Sequence, residues 1–449
     1  MPKRQWIAHI AGLVLALMPI PGAAEPDAAT PAMSVDRIVA TGADGHALGT
    51  LVLPSIVAND HRHNRRPLLV VFNGGPGAAS AWLQLGLLGP WLAEDTGGGP
   101  LRLAPNRDGL WDRADILFVD PLGTGFSRAR ADASASVLGA SVLGREGDGA
   151  YLARAITTWM DRHARRDAPV LLLGESYGAE RAVTVAAAWR RTHAPVHLAG
   201  IALVSQTVVS AFALDREAPA PFPANLPTMA ATACYWNHRA APLACAQAAA
   251  QIATAAAPTE ALDRIGGSEF TRLATGRAGM TLALFRHAFR ARQNAVLGLY
   301  DSRQSTPALA ALLPRFAEAA RQGSRMTLGL DRSPVDGTDY VLYDPAIRDA
   351  WRYPADPVYD PVLGAELARV LRDSGARLMV AGGVFDTVSS YAADRRLVAA
   401  LHLPPAQITL RSYPGGHMFY LDPACRRAFV DTLRAWIPAP GALGNSIGT

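Results

Sequence analysis

Residues Gly174-Glu175-Ser176-Tyr177-Gly178 sit between four apolar residues, 170–173, and an alanine-rich run, 179–189. The first stretch reads as a buried strand and the second as a helix, so the motif occupies a strand–turn–helix corner. Such a corner holds the serine in a strained conformation at the strand tip, and its flanking glycines let strand and helix approach closely. The Ser176 hydroxyl then projects clear of the sheet, and the helix N-terminus presents backbone N–H groups to developing negative charge. A bare five-residue match equally describes a tight turn that contains serine, so the rest of the chain has to decide.

Further strands end in turns of the same kind. Residues 67–72 are continuously apolar, as in a strand buried on both faces, and run into Asn73-Gly74-Gly75-Pro76-Gly77. That loop lacks the Gly-Lys-Ser/Thr of a phosphate loop. Beside a nucleophile elbow it fits an oxyanion loop instead, with a backbone N–H aimed at a substrate oxygen. Residues 115–120 are a strand capped by 121–127, residues 147–166 an amphipathic helix, and residues 197–204 a further strand. Ahead of these, residues 35–42 and 48–53 read as a hairpin about Ala43-Asp44-Gly45. Strand–helix alternation argues for a mostly parallel α/β sheet covered on both faces, with sites at the carboxyl ends of its strands.

From about residue 206 to 343 the alternation stops. Alanine-rich helical stretches occur around 229–257, 258–266 and 279–292, then 306–322, and no strong strand is expected before the 326–330 region. This predicts a mainly helical cap over the site. The sheet pattern resumes with a helix at 363–373, a strand at 377–381, a helix at 391–401, a strand at 407–413 and a last helix at 423–436. The expected organisation is a leader at 1–24, a core at 25–205, the cap at 206–343, the rest of the core at 344–437 and a tail at 438–449.

Composition excludes several function classes. Lys3 and Arg4 supply two of the net +5 charges of the 449-residue chain, and no basic run interleaves with aromatics, so no nucleic-acid partner is expected. Lys3 and Arg4 precede an apolar stretch at 10–18 and then Gly22-Ala23-Ala24, the pattern of a cleaved secretory leader. No later segment is apolar enough to span a bilayer, so an exported protein with no stable membrane association is expected. Cys234 and Cys245 are close enough in sequence to pair in an oxidising compartment, leaving Cys425 as a buried thiol. No Cys/His cluster has metal-ligand spacing, and neither metal nor cofactor is expected. His61 and His63 lie in an arginine-rich polar turn and read as solvated.

Three chemically suitable side chains follow strand ends in the order Ser176, Asp386, His417. This is the chain order of the α/β-hydrolase triad. Serine attacks only when a base takes its proton, histidine is such a base near neutral pH, and a carboxylate fixes the imidazole tautomer. Asp394 rivals Asp386 but lies within a helix, and Asp422 reads as the cap of the last helix.

The blocks Asn73-Gly-Gly-Pro-Gly77, Val119-Asp-Pro-Leu-Gly-Thr-Gly-Phe-Ser127, Gly174-Glu-Ser-Tyr-Gly178 and Gly416-His417-Met418 resemble the signatures of the serine carboxypeptidases, particularly bacterial ones. The resemblance covers roughly 35–205 and 345–437. It implies an α/β-hydrolase fold and release of a C-terminal residue from peptide substrates through an acyl-enzyme. Ser176 would be nucleophile, His417 base and Asp386 its orienter, with the Gly75 and Tyr177 amides as oxyanion hole. It assigns the substrate carboxylate to Asn73 and Glu175. Glu175 suits that role only when protonated, as a hydrogen-bond donor; its other reading is a buried structural carboxyl paired with Asn73. The sequence departs from the family at Leu87, where a second glutamate is expected, and at Ala78, where a cysteine is common. Trp82 and Gln84 then enter as further binding candidates. An esterase or acyltransferase on the same residues, or a silent binding protein on the scaffold, are the competing functions; the sequence leaves the oligomeric state open.

Overall fold

The computed structural model describes residues 31–58, 66–131, 139, 141–216, 223–238, 241–254, 258–275, 280–289, 296–304, 307–353 and 361–439. The expected leader at 1–24, His61, His63 and the residues beyond 439 lie outside these.

Eleven strands occur among the described residues: β1 Ser34–Thr41, β2 Ala47–Ile56, β3 Leu68–Phe72, β4 Trp91–Glu94, β5 Arg102–Pro105, β6 Asp115–Val119, β7 Arg128–Ala129, β8 Val170–Glu175, β9 Leu198–Val204, β10 Arg377–Gly383 and β11 Ile408–Tyr413. The main sheet runs β1-β2-β6-β3-β8-β9-β10-β11, with β7 against β2. β2 pairs antiparallel with β1, β6 and β7, and every pair from β6 to β11 is parallel. β4 and β5 form a separate antiparallel pair that short-range sequence signals did not reveal.

Strand alternation explains the two core layers. Val70 and Leu172 face the helices Arg145–Arg162, Tyr177–Arg191, Pro361–Ser374 and Tyr391–Leu401. Val71 and Leu173, one residue on, face the opposite layer with Leu83, Leu87 and the Pro423–Trp436 helix. A strand buried on both faces must be apolar at every position, which is why β3 and β8 read as continuous hydrophobic runs.

Between β9 and β10 the regular elements among the described residues are helices, with no strand. The 229–257 stretch is two helices, Leu226–His238 and Pro242–Thr254, broken ahead of Pro242. The next helix extends to Thr275. The 326–330 region is not a strand: residues up to Leu328 complete the Pro307–Leu328 helix. Its buried Phe316, Ala319 and Ala320 repeat at helical spacing and pack with Trp82 and Trp91, which outweighs the local β-propensity. Cys234 and Cys245 are disulfide-bonded and join the first two helices. Cys425 is free and buried, and burial pushes its thiol up to about 12, where it is an inert hydrophobe. No described helix is long and apolar enough to cross a membrane.

Candidate active site

β8 delivers Ser176 at φ 58°, ψ −128°, a conformation costly for a residue with a Cβ and held by what surrounds it. The Ser176 amide donates to Val204 O at 2.9 Å, and its carbonyl accepts from Ala179 N at 2.9 Å. The flanking glycines are sterically required. A Cβ on Gly174 would stand 2.0 Å from Gly178 O, and one on Gly178 would stand 2.5 Å from Phe72 O. These neighbours are backbone, which cannot swing aside. Gly178→Ala is therefore expected to cost about 1–3 kcal/mol or more, read as a lower Tm by calorimetry.

β10 ends at Gly383 and its following turn carries Asp386, which is fully buried. Asp386 Oδ1 accepts from Val388 N at 2.8 Å and Ser389 N at 3.0 Å, while Oδ2 lies 2.7 Å from His417 Nδ1. Asp394 is not in that position: it accepts from Gln206 Nε2 at 3.1 Å, and Gly382 makes room for it. The turn after β11 carries His417. Its amide donates to Tyr300 O at 2.6 Å, and its carbonyl accepts from Ser205 Oγ at 2.5 Å. With Nδ1 committed to Asp386, Nε2 is buried and has no hydrogen-bond partner. Ser176 and His417 line one cavity of about 300 Å³, and no hydrogen bond joins the Ser176 hydroxyl to Nε2. Burial alone would lower the imidazole pKa; the charge and hydrogen bond of Asp386 carry it above its ordinary value.

The glycine loop lies against the elbow. A Cβ on Gly74 would stand 2.6 Å from Tyr177 N and 2.8 Å from Ser176 Cβ. Gly75 has φ +99°, a region open to glycine, and follows this close approach into a cis bond with Pro76. The Gly75 and Tyr177 amides have no acceptor among the described residues. Arg181 holds the loop from behind. Its Nη1 donates to Asn73 O at 2.6 Å and Gly74 O at 3.2 Å, and its Nε to Asp148 Oδ2 at 2.7 Å. Sequence reasoning missed Arg181; the signal was a lone cation in the alanine-rich run after the serine.

Asn73 Nδ2 donates to Glu175 Oε2 at 2.8 Å, and Asn73 Oδ1 accepts from Leu83 N at 3.0 Å, which settles the orientation of the amide. Glu175 Oε1 stands 3.8 Å from His417 Nε2. Burial raises the Glu175 carboxyl above its usual range, against the lowering effects of His417 and Asn73. Leu87 is fully buried among Leu83, Leu88 and Tyr420 and brings no polar atom to the cavity. Trp82 does line the cavity, stacked on Phe316 with centroids 4.0 Å apart. Gln84 does not; it bonds Met33 Sδ. Tyr300, Leu309, Leu313 and Tyr343 add to the wall from the cap, which carries no motif, and Arg348 adds to it from just beyond. The 119–127 block holds structure: Asp120 accepts from Ser80 N and Oγ at 2.6 Å each, and Ser127 Oγ donates to Asp120 O at 2.8 Å. Asp422 caps the last helix, accepting from Ala424 N and Cys425 N. Among the described residues no group of three His, Cys, Asp or Glu could hold a metal ion.

Residues 55–203 match the family model described as serine carboxypeptidase. The chain is 41% identical over 76 residues to the pheromone-processing carboxypeptidase kex1 of Sclerotinia sclerotiorum, covering 16% of this chain and 12% of that protein. It is 34% identical over 116 residues to serine carboxypeptidase-like 35 of Arabidopsis thaliana, covering 25% and 23%. The chain thus spans less than a quarter of the length of these relatives in the matched stretch. The structure of Kex1(delta)p, a prohormone-processing carboxypeptidase from Saccharomyces cerevisiae, aligns with TM-score 0.58 at 16% identity, over 92% of this chain and 93% of that one. That likeness shows a shared fold, an α/β-hydrolase.

Proposed function

As a relative of the serine carboxypeptidases through residues 55–203, the chain is, we propose, a hydrolase that releases C-terminal amino acids from peptides through an acyl-enzyme. One observation carries the reading. A histidine fixed at Nδ1 by a buried carboxylate keeps Nε2 unpartnered beside an elbow serine, and the same cavity is lined by Glu175, whose carboxyl is backed by the buried Asn73.

The chemistry follows from that arrangement. Rotation of the Ser176 hydroxyl toward Nε2 lets the imidazole take its proton as Oγ attacks the peptide carbonyl. The Gly75 and Tyr177 amides receive the oxygen that becomes negative, and such donors are typically worth about 3–4 kcal/mol each. His417 then gives its proton to the departing amine, and water repeats the sequence on the acyl-enzyme. A protonated Glu175 and Asn73 donate to the terminal carboxylate; an ionised Glu175 would repel it.

The pH dependence has two limbs. Neutral imidazole is required, so kcat/KM falls as pH drops through the raised His417 pKa. Neutral Glu175 is required for the terminal acid, so KM rises as pH climbs through the raised Glu175 pKa. Glu175→Gln keeps a neutral donor at every pH, and is expected to flatten the alkaline rise in KM, measured on a blocked dipeptide across pH 4–8. An unaltered rise in that variant would remove Glu175 from substrate recognition.

A second reading, esterase or acyltransferase on the same residues, is favoured by Leu87, which leaves Glu175 without a second carboxyl to share its proton. Assays of blocked dipeptides against simple esters separate the two. Ester turnover without release of an amino acid would overturn the peptidase reading. We place the protein outside the cytoplasm on the leader pattern at residues 1–24 and the Cys234–Cys245 bond.

A further inference from the structure

The space around His417 continues beyond the catalytic cavity. Tyr300, Leu309, His417 and Met418 also line a larger cavity of about 570 Å³. Six charged side chains contribute to the wall of that second cavity: Glu94, Asp95, Asp301, Arg303, Asp422 and Arg426. Five of them are already engaged. Glu94 accepts from Arg102 Nη2 at 2.5 Å, and Asp95 accepts from Arg315 at 2.7 and 2.8 Å. Asp301 and Arg303 pair with each other at 2.6 Å, and Asp422 accepts from Ala424 N at 2.9 Å and Cys425 N at 3.0 Å.

Arg426 is the exception. It is 7% exposed, its Nε is closed off from solvent without an acceptor, and its guanidinium makes no ion pair or hydrogen bond among the described residues. Glu94, Asp108 and Asp422 act on it only through space. A guanidinium does not escape burial by losing its proton. Its charge therefore stays, with Nε closed off and both Nη groups uncommitted, so an anion entering the cavity finds donors that no described residue uses. A carboxylate is the matching partner, since its two oxygens fit the planar fork of donors.

We propose that this second cavity is a side-chain pocket for acidic residues, in which Arg426 pairs with the carboxylate of an Asp or Glu adjoining the scissile bond. The proposal rests on the peptidase reading for its substrate class. His417, which serves the reacting bond, borders both cavities, so a chain lying across Ser176 can drop one side chain between Tyr300 and Met418.

The test is kcat/KM on blocked dipeptides that differ only by Glu or Gln at the terminal or the penultimate position. The wild type is expected to prefer Glu over Gln at one of the two positions by about tenfold or more. Arg426→Met should abolish that preference and Arg426→Lys should keep part of it. Arg426→Met should also melt no lower than wild type, because the guanidinium it removes makes no hydrogen bond or ion pair among the described residues; a purely structural arginine would lower the melting temperature. A Glu/Gln ratio near one in the wild type, or one that survives Arg426→Met, overturns the proposal. Should no peptide be cleaved, the peptidase reading fails, and the pocket is judged by calorimetry with glutarate on Ser176→Ala. Binding lost on adding Arg426→Met supports the pocket, and absence of binding overturns it.

Discussion

His417→Ala is expected to lower kcat for amino-acid release by at least about 10⁴-fold, with a much smaller change in KM. Nε2 of His417 is a buried, unpartnered nitrogen facing the cavity that Ser176 lines. Nothing else there can replace it as a base near neutrality, because Glu175, 3.8 Å away, is held toward its protonated form by burial. The loss should be catalytic rather than structural. The backbone contacts of residue 417, to Tyr300 O and from Ser205 Oγ, survive the truncation, and the buried hydrogen bond lost with the ring is the one from Nδ1 to Asp386, whose carboxylate keeps the Val388 and Ser389 amides. Steady-state kinetics on a blocked dipeptide, with a melting curve of the same preparation, measures both. A variant retaining activity within about tenfold of wild type would remove His417 from the reaction.

Asp386→Asn should be nearly as damaging, about 10⁴-fold in kcat. The amide keeps the shape but not the charge, and can hold the imidazole in the wrong tautomer, presenting Nε2–H to the serine. Asp394→Asn is the matched control, since the sequence offers it as the rival carboxylate. Burial raises Asp394 to about 8, so it is already neutral at pH 7, and an amide there changes little. Activity within about tenfold of wild type is expected. Its effect should appear in stability instead. An acid whose folded pKa is raised keeps its proton while the unfolded chain has lost it, so the folded state loses stability as pH rises from 3.8 to about 8. One such proton corresponds to a slope of up to about 1.4 kcal/mol per pH unit. Asp394→Asn should flatten the wild-type fall by that amount across this window, measured by denaturant unfolding at several pH values.

The parts of the fold that were legible were those in which burial imposes a pattern. β3, β8 and β9 are buried on both faces, so their sequences are continuously apolar, and the glycine turns that end them mark the sheet's carboxyl edge. Ser176 was legible because Gly174 and Gly178 are forced by backbone contacts at 2.0 and 2.5 Å. Asp386 and His417 needed the order of three strand ends, since a lone turn acid or histidine carries no signal. The cavity wall was not legible. Tyr300, Leu313 and Tyr343 come from the helical excursion, where packing against Trp82 and His417 is set by tertiary approach. The 326–330 region reads as a strand because a short apolar run fits strand and helix alike, and the Phe316–Ala320 face decides for the helix up to Leu328. Gln84 faces Met33 because residues two apart on a helical turn point to different sides, so Trp82 and Gln84 do not share the cavity wall.

The central claim is that Ser176 is the hydroxyl made nucleophilic by the His417–Asp386 pair. A fluorophosphonate probe, with the adduct located by peptide mass spectrometry, tests it without choosing a substrate. The account predicts one covalent adduct on Ser176, absent in Ser176→Ala and strongly slowed in His417→Ala. A folded wild-type protein that takes no label, or one labelled on another residue, would contradict it.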